Sequence, residues 1–332
     1  MNAYQDLNDG LWGDKYNQVV STSKKGTIVN VDGIGDKDSY NPMLCEYNGS
    51  KVLAFRCESR NSQIDDTINY HPVIMFAKQD GHIWKVDKNI VPFEMLEDPM
   101  FMKAKIHGHS SVVFGGVRAR LVEVGNFVAD TELYEGDTLE TVERTPFAVI
   151  KGMKDERLCQ LPDGRFLLCR RPLDNHGLGR AVLHIVDHLD DLTDINVDID
   201  IPPAVAVLQG PNDNDWVGIN SIYIISDKHG TIWVGLLGHI GALDDSGGKH
   251  YAATTYKVKL NDLVGGKTHI MDPTIIAMRS CFEDGPQKDD KLSDVVFPGS
   301  LEKIEGNRYR LWAGLSDARI GIIELDDPFR LD

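Results

Sequence analysis

Five polar clusters in this 332-residue chain hold side chains able to do chemistry, and each sits where an apolar run begins or ends. Arg56-Cys57-Glu58-Ser59-Arg60 follows the run KVLAF and places two guanidinium groups and a carboxylate at its exit. In an extended chain Arg56, Glu58 and Arg60 fall on one face, as a polar site at a strand end or as an exposed ion-pair ladder. In Leu96-Glu97-Asp98-Pro99 the proline keeps Asp98 out of the helical region, so its carboxylate is expected at a fixed extended or turn position. A rigidly held acid suits proton donation if burial or neighbours raise its pKa, although Asp-Pro is also a common turn. Lys154-Asp155-Glu156-Arg157 has Arg144 upstream and Arg170-Arg171-Pro172 downstream, across an Asp163-Gly164 hairpin that would bring the bases to one rim. Arginine forks and a lysine ammonium are natural binders of a phosphate dianion.

The fourth cluster, Trp216-Val217-Gly218-Ile219-Asn220 followed by Gly238-His239 and His250-Tyr251, offers aromatic faces and amides of the kind a sugar ring needs. A Trp buried in a sheet is the plainer reading. The fifth is Asp294-Val295-Val296-Phe297 with Ser316-Asp317-Ala318, where Asp317 emerges from an apolar run at a cost unless it finds partners. Standard signatures for dinucleotides, P-loop phosphates, zinc proteases, serine hydrolases and EF-hand calcium are missing. His107-Gly108-His109 spaces two histidines at i, i+2 without a third ligand, so no metal is expected.

The elements that must position these groups are strands. The apolar residues come in runs of four to eight, such as HIWKV, RFLLC, TIWVGLLG and YRLWAGLS, rich in β-branched and aromatic types. Asn48-Gly49, Asp80-Gly81, Asp163-Gly164, His229-Gly230 and Glu305-Gly306 supply hairpin turns, because these residues tolerate positive φ. No long capped helix is visible, so the chain reads as mostly antiparallel β. Hairpins recur along the whole length with no Pro/Ser-rich linker, which predicts one closed domain over residues 1–332. At about 60–70 residues per four-stranded blade, the length predicts a five-bladed β-propeller. The acidic stretches from Asp187 to Asp200 and from Asp284 to Asp294 are expected to be solvated rim connections.

With 35 basic and 51 acidic side chains the formal charge is −16, which argues against nucleic acid or an anionic membrane as partner. Hydrophobic residues at 42% and charged ones at 26% exclude general disorder. The amino terminus lacks the basic and apolar regions of a secretory leader, and no apolar run is long enough to span a membrane. Cys45, Cys57, Cys159, Cys169 and Cys281 are an odd, scattered set beside apolar runs, which suits reduced thiols and a cytoplasmic protein.

Taken in order, the clusters resemble the mannosyltransferase/phosphorylase family (glycosyltransferase family 108), related to the mannoside phosphorylases of glycoside hydrolase family 130. The resemblance runs from Tyr40-Asn41-Pro42 to Asp327-Pro328-Phe329 and includes all five clusters together with Phe114-Gly115-Gly116-Val117 and Arg279. It implies a five-bladed propeller with the active site at the mouth of its central channel. It also implies transfer of a β-1,2-linked mannosyl unit to or from phosphate, or from GDP-mannose to a mannose acceptor. By position Asp98 is similar to the catalytic acid, which in the related phosphorylases passes its proton through a sugar hydroxyl. Asn41, Arg56 and Asp317 resemble grips on the mannosyl ring, with Glu58, Arg60, Glu97, Asp155, Trp216, Asn220 and Asp294 as further substrate contacts. Arg144, Lys154, Arg171, His239 and Tyr251 resemble a phosphate cradle, and no metal or cofactor is implied.

An inverting glycosidase needs a second carboxylate to activate water, whereas phosphate arrives already anionic and needs a cationic cradle. One candidate acid plus a basic cluster therefore reads as phosphorolysis. Where the family tends to show Gly-Pro-x-Lys-Arg, this chain has Gly285-Pro286-Gln287-Lys288-Asp289, which tilts the expectation away from nucleotide sugars. The alternatives are a β-mannoside hydrolase, with Glu58 or Glu97 activating water, and a non-catalytic sugar-binding propeller.

Overall fold

The structure, a computed structural model, describes residues 12, 24–47, 49–60, 70–123, 126–172, 179–192, 204–208, 210, 212, 214–265, 269–271 and 273–331. Strand follows strand in five antiparallel meanders. After β1 (Thr27–Val29) and β2 (Val31–Asp32), the first comprises β3 (Asp38–Tyr47), β4 (Ser50–Glu58), β5 (Val73–Asp80) and β6 (Ile83–Val86), with β7 (Phe93–Glu94) added to β5. The second is β8 (Glu97–Ile106), β9 (His109–Glu123), β10 (Asn126–Gly136) and β11 (Ala148–Ile150). The third is β12 (Met153–Gln160), β13 (Phe166–Pro172), β14 (Val182–Val186) and β15 (Ala206–Leu208). The fourth is β16 (Trp216–Ser226), β17 (Ile232–Leu243) and β18 (Lys249–Lys259). Past the short helix α1 (Leu260–Val264) and β19 (His269–Met271), which pairs with β15, it gains β20 (Thr274–Ala277). The fifth is β21 (Asp294–Lys303), β22 (Tyr309–Leu315) and β23 (Arg319–Leu325), and β1 returns to pair antiparallel with β23 as its fourth strand.

The turns are the ones that Gly chemistry predicts: Gly49, Gly81, Gly164, Gly230 and Gly306 all have positive φ at hairpin tips. Gly108 does the same between β8 and β9, so His107 and His109 flank a turn and do not share a strand face. No group of three or more potential metal ligands forms among the described residues. All five cysteines are free and four are buried. No helix among the described residues is long and apolar enough to cross a membrane.

The first strands of the meanders line up in a ring: β3 lies beside β8, β8 beside β12, β12 beside β16, β16 beside β21, and β21 beside β3. Neighbouring meanders share apolar layers, as where Cys45, Ala54 and Phe76 of the first meet Val112, Phe114 and Tyr134 of the second. Between the fifth and first, Trp312 meets Trp84 edge-on at 5.5 Å.

Every first strand also slips register against its partner at the same depth. The shifts fall between Tyr40 and Met43, Glu97 and Met100, Lys154 and Arg157, Ile219 and Ser221, and Pro298 and Ser300. A bulge inserts a residue that the ladder cannot pair and re-aims its side chain. The residues so turned are Asn41, Asp98, Asp155 and Asn220, with Gly299 in the fifth. Asn41, Asp98 and Asp155 have φ of 47°, 51° and 57°. Pro99 does exclude the right-handed helical region at Asp98, but the bulge holds that residue left-handed and not extended. Asn and Asp are the non-glycine residues that tolerate this best.

The bulges interlock around the ring. Asn41 Nδ2 donates to Asp98 Oδ1 (2.7 Å), Arg157 Nε to the Asn220 carbonyl (2.8 Å), and Ser221 Oγ to the Gly299 carbonyl (2.6 Å). Gly299 abuts Pro42, where a Cβ would run into the carbonyl oxygen. Because backbone meets backbone there, Gly299→Ala has no side chain that could yield. It is expected to destabilise the protein by about 3 kcal/mol in urea unfolding, and a change within about 0.5 kcal/mol would show that the ring closes less tightly.

Candidate active site

Above the bulge ring one wall is acidic. Asp98 accepts from Asn41, and Gly314 makes room for that carboxamide, since a Cβ there would strike Asn41 Oδ1. Arg56, reaching in from β4, lies 3.1 Å from Glu97 Oε2, 3.1 Å from Glu58 Oε1 and 3.9 Å from Asp98 Oδ1. Tyr70 donates its hydroxyl to Glu97, whose carboxyl is pushed up by burial against the opposing pull of Arg56 and Lys154. Glu58 is bound three ways: Tyr40 OH and Lys288 Nζ donate to it beside the Arg56 contact. Burial pushes Glu58 up, but Arg56, Lys288 and these hydrogen bonds outweigh it and hold the carboxylate below its usual range. Asp317, left-handed with φ 48° and half-buried, is raised by burial while Arg56 and Lys288 oppose the shift.

The facing wall is basic and aromatic. Lys154 and Arg171 are cross-strand neighbours on β12 and β13, and Arg171 Nη1 lies 2.9 Å from Asp155 Oδ2. Burial would raise Asp155, but Arg171 first, and then His239, Arg157 and Lys154, hold it below the usual carboxylate range. His239 is stacked on Tyr251 with ring centres 5.2 Å apart and planes within 2°, and Trp216 meets Tyr251 edge-on at 5.4 Å. His239 Nδ1 is 2.9 Å from Asn220 Oδ1, and burial lowers the imidazole to about 4. A ring lowered this far is neutral near pH 7. Lys154 ties the two walls electrostatically, since its charge acts on both Glu97 and Asp155.

Of the residues singled out from sequence, Asn41, Arg56, Glu58, Glu97, Asp98 and Asp317 assemble on the first wall. Lys154, Asp155, Arg171, Trp216, Asn220, His239 and Tyr251 assemble on the second. The Arg56–Glu58 pair is buried and not an exposed ladder. Three residues stand apart. Arg144 is exposed, lies 3.9 Å over the Phe93 ring and donates to the Val91 carbonyl (2.7 Å), so it does not join the basic wall. Arg60, past the end of β4, turns back to bind Asp38 instead of following Arg56 and Glu58 inward. Asp294 holds His250 (2.8 Å) where β18 and β21 pair in parallel.

Sequence reasoning missed Tyr40 and Tyr70 as supports, and it misjudged the segment from Asp284 to Asp294. That loop is no mere solvated connection, because Lys288 N donates to the Ser316 carbonyl (3.0 Å) and its buried side chain reaches Glu58. The other acidic stretch, 187–200, lies mostly outside the described residues.

A family model described as "Protein of unknown function (DUF1861)" matches residues 15–331, and the chain belongs to that family. No curated protein matches it. Among solved structures it is similar to MPT-4, a mannose phosphorylase from Leishmania mexicana in complex with phosphate (TM-score 0.75, 24% identity, 99% of this chain and 96% of that one). It is also similar to MPT-1, a GDP-Man-dependent mannosyltransferase from the same organism (0.74, 22%, 99% and 95%). A third is the β-1,2-mannobiose phosphorylase from Listeria innocua (0.58, 16%, 87% and 90%). At these identities the likeness is one of fold.

The neutral imidazole carries a pH signature. His239 has a folded value of about 4 against about 6.5 unfolded, so the unfolded chain binds the proton first. The contribution is complete above about pH 6.5 and is lost as pH falls toward 4. Between about pH 7.5 and about pH 5 the wild type is expected to lose about 2 kcal/mol relative to His239→Gln in urea unfolding. Parallel losses in the two proteins would mean that the ring is charged in the fold.

Proposed function

We propose that this DUF1861 protein is an inverting β-1,2-mannoside phosphorylase, moving a mannosyl unit reversibly between an oligomannoside and phosphate with mannose 1-phosphate as the other product. The observation that carries this reading is that Asp98, whose carboxylate accepts from the Asn41 amide, stands beside a cationic wall, while Glu58 and Glu97 of its own wall are tied down by cations and tyrosines. An inverting hydrolase would need a second carboxylate to activate water. Glu58 is held by three donors, and Glu97 by Tyr70 and Arg56, so neither is placed to take a proton from water.

In this scheme a phosphate oxygen, seated by Lys154, Arg171, Tyr251 and His239, attacks the anomeric carbon as the glycosidic C–O bond breaks. Asp98 supplies the proton to the leaving oxygen, directly or through a sugar hydroxyl, and the proton of hydrogen phosphate restores it. Asn41 and Arg56, which meet at the Asp98 carboxylate, are the residues assigned to the mannosyl ring on this reading. Asp317 closes that subsite, and Asp155, Asn220 and Trp216 hold the basic wall in shape. The reaction so read calls on no cofactor.

The ring of first strands, the five meanders and the return of β1 support reading the fold as a five-bladed propeller with this site at the mouth of its channel. Free thiols suit a cytoplasmic setting. MPT-4 is a phosphate-bound mannose phosphorylase, which agrees with the role given to the basic wall. GDP-mannose-dependent transfer, as in MPT-1, is the second reading. Against it stand Asp289 and Asp290 beside Lys288, poor company for a nucleotide diphosphate.

Incubation with β-1,2-mannobiose should yield mannose 1-phosphate only when inorganic phosphate is present. Mannose released without phosphate would indicate the hydrolase, and turnover only with GDP-mannose the transferase. Lys154→Ala is expected to raise the phosphate KM roughly tenfold or more, through loss of a charge-assisted contact, with a smaller effect on kcat.

A further inference from the structure

We propose that the cavity on the far side of the bulge ring is a second ligand site, one that takes a small organic carboxylate with its charged end toward Arg157 and its carbon chain along an apolar wall. The site lies inside the ring of first strands, across the bulges from the acidic and basic walls. It stands whether or not those walls belong to a phosphorylase.

The cavity, of about 260 Å³, takes a residue from each first strand just past its bulge: Met43 of β3, Met100 of β8, Leu158 of β12, Ile222 of β16 and Leu301 of β21. The two walls, by contrast, are built at or before the bulges, from residues such as Glu97, Lys154 and the Gly218 partner His239. Between the two lie the contacts that knit the ring, Arg157 Nε on the Asn220 carbonyl and Ser221 Oγ on the Gly299 carbonyl. The space suffices for a short acid, since a cavity of about 150 Å³ already holds a benzene ring.

The polar groups that line it are mostly donors. Arg157 is only 3% exposed and donates to two backbone carbonyls, those of Asn220 and Glu156 (2.8 Å each). The carboxylates beside it in sequence are drawn to other arginines: Asp155 lies 2.9 Å from Arg171, and Glu156 lies 3.5 Å from Arg170. Burial lowers Arg157 although Asp155 and Asp98 oppose the shift, so its charge is incompletely compensated. Tyr223 OH accepts from Leu301 N (2.6 Å) and Ser300 Oγ from Leu44 N (3.0 Å), which leaves each hydroxyl its own proton to give. At the mouth stand Lys103 and Glu46, and Glu46 is engaged by Lys51 (3.4 Å). Water could fill the cavity but brings no charge to offset Arg157. A carboxylate does, and its carbon chain suits the adaptable thioethers of Met43 and Met100.

The test is an NMR titration of the whole chain with sodium pentanoate, pentanamide and pentylamine at about pH 7.5, where the acid and the amine are both charged. Pentanoate is expected to bind roughly tenfold or more tightly than the neutral amide, and the amine not at all. Ile222→Trp, which fills the cavity, should abolish pentanoate binding, and Lys103→Met, at the exposed mouth, should weaken it. Saturating phosphate should leave pentanoate bound. Equal binding of acid and amide, no binding of pentanoate, its displacement by phosphate, or its undiminished binding to Ile222→Trp would each overturn the inference. The comparison of acid with amide needs no variant and decides the matter even if Ile222→Trp fails to fold. None of these outcomes bears on phosphorolysis, which the mannobiose assay tests by itself.

Discussion

Each first strand spends one residue more than its partner, and side-chain and backbone contacts between neighbouring first strands are made at that extra residue. An unbulged ladder would alternate side chains between the two faces of each sheet, and none would point along the axis on which the five strands meet. The bulge breaks that alternation, turning Asn41, Asp98, Asp155 and Asn220 toward the axis, while Gly299 lets the fifth strand press against Pro42. Backbone carbonyls freed by the slips become the acceptors that lock strand to strand, as with Arg157 on Asn220 and Ser221 on Gly299. The strain of three left-handed residues, of order 1–2 kcal/mol each, is thus borne where it does chemical work.

Charge pairing follows from that geometry. Crowding carboxylates about one axis is tolerable only if cations reach them, because an uncompensated buried charge is costly. Arg56 serves Glu58, Glu97 and Asp98 at once, and Arg171 serves Asp155. The outcome is an asymmetric pocket within a chain of net charge −16. One side gathers Glu58, Glu97, Asp98 and Asp317 around Arg56 and Lys288, and the other keeps Lys154 and Arg171 with Asp155 and a neutral imidazole. Lys288, anchored by its own backbone to the Ser316 turn, completes the first side from a loop that the charge pattern alone assigns to solvent.

Much of this was legible before any coordinates. The Asp-Gly and His-Gly turns mark the hairpins, and the polar residues at strand ends mark most of both walls, because local turn chemistry and alternation act over a few residues. Another local signal went unused. Tyr40-Asn41-Pro42-Met43 and Glu97-Asp98-Pro99-Met100 share their last three positions in kind, and Asn41, Asp98 and Asp155 recur 57 residues apart. That repeat announces equivalent bulges. What no local pattern reveals is closure. Tyr40 and Glu58 meet Lys288 across some 230 residues of chain. Arg144, one of a basic series in sequence, is drawn off to the Phe93 ring because its loop runs along the outside of the second meander.

On the proposed reading Asp98 is the one proton donor to the leaving glycosidic oxygen, and Asp98→Asn tests that role most directly. The carboxamide keeps the side chain's size and leaves the basic wall intact, so phosphate should still bind the variant as it binds the wild type. Phosphorolysis of β-1,2-mannobiose should fall by about 100-fold or more, the usual worth of a placed general acid. Near-normal turnover in the variant, with phosphate still bound, would contradict the assignment of Asp98 and with it the account of the site given above.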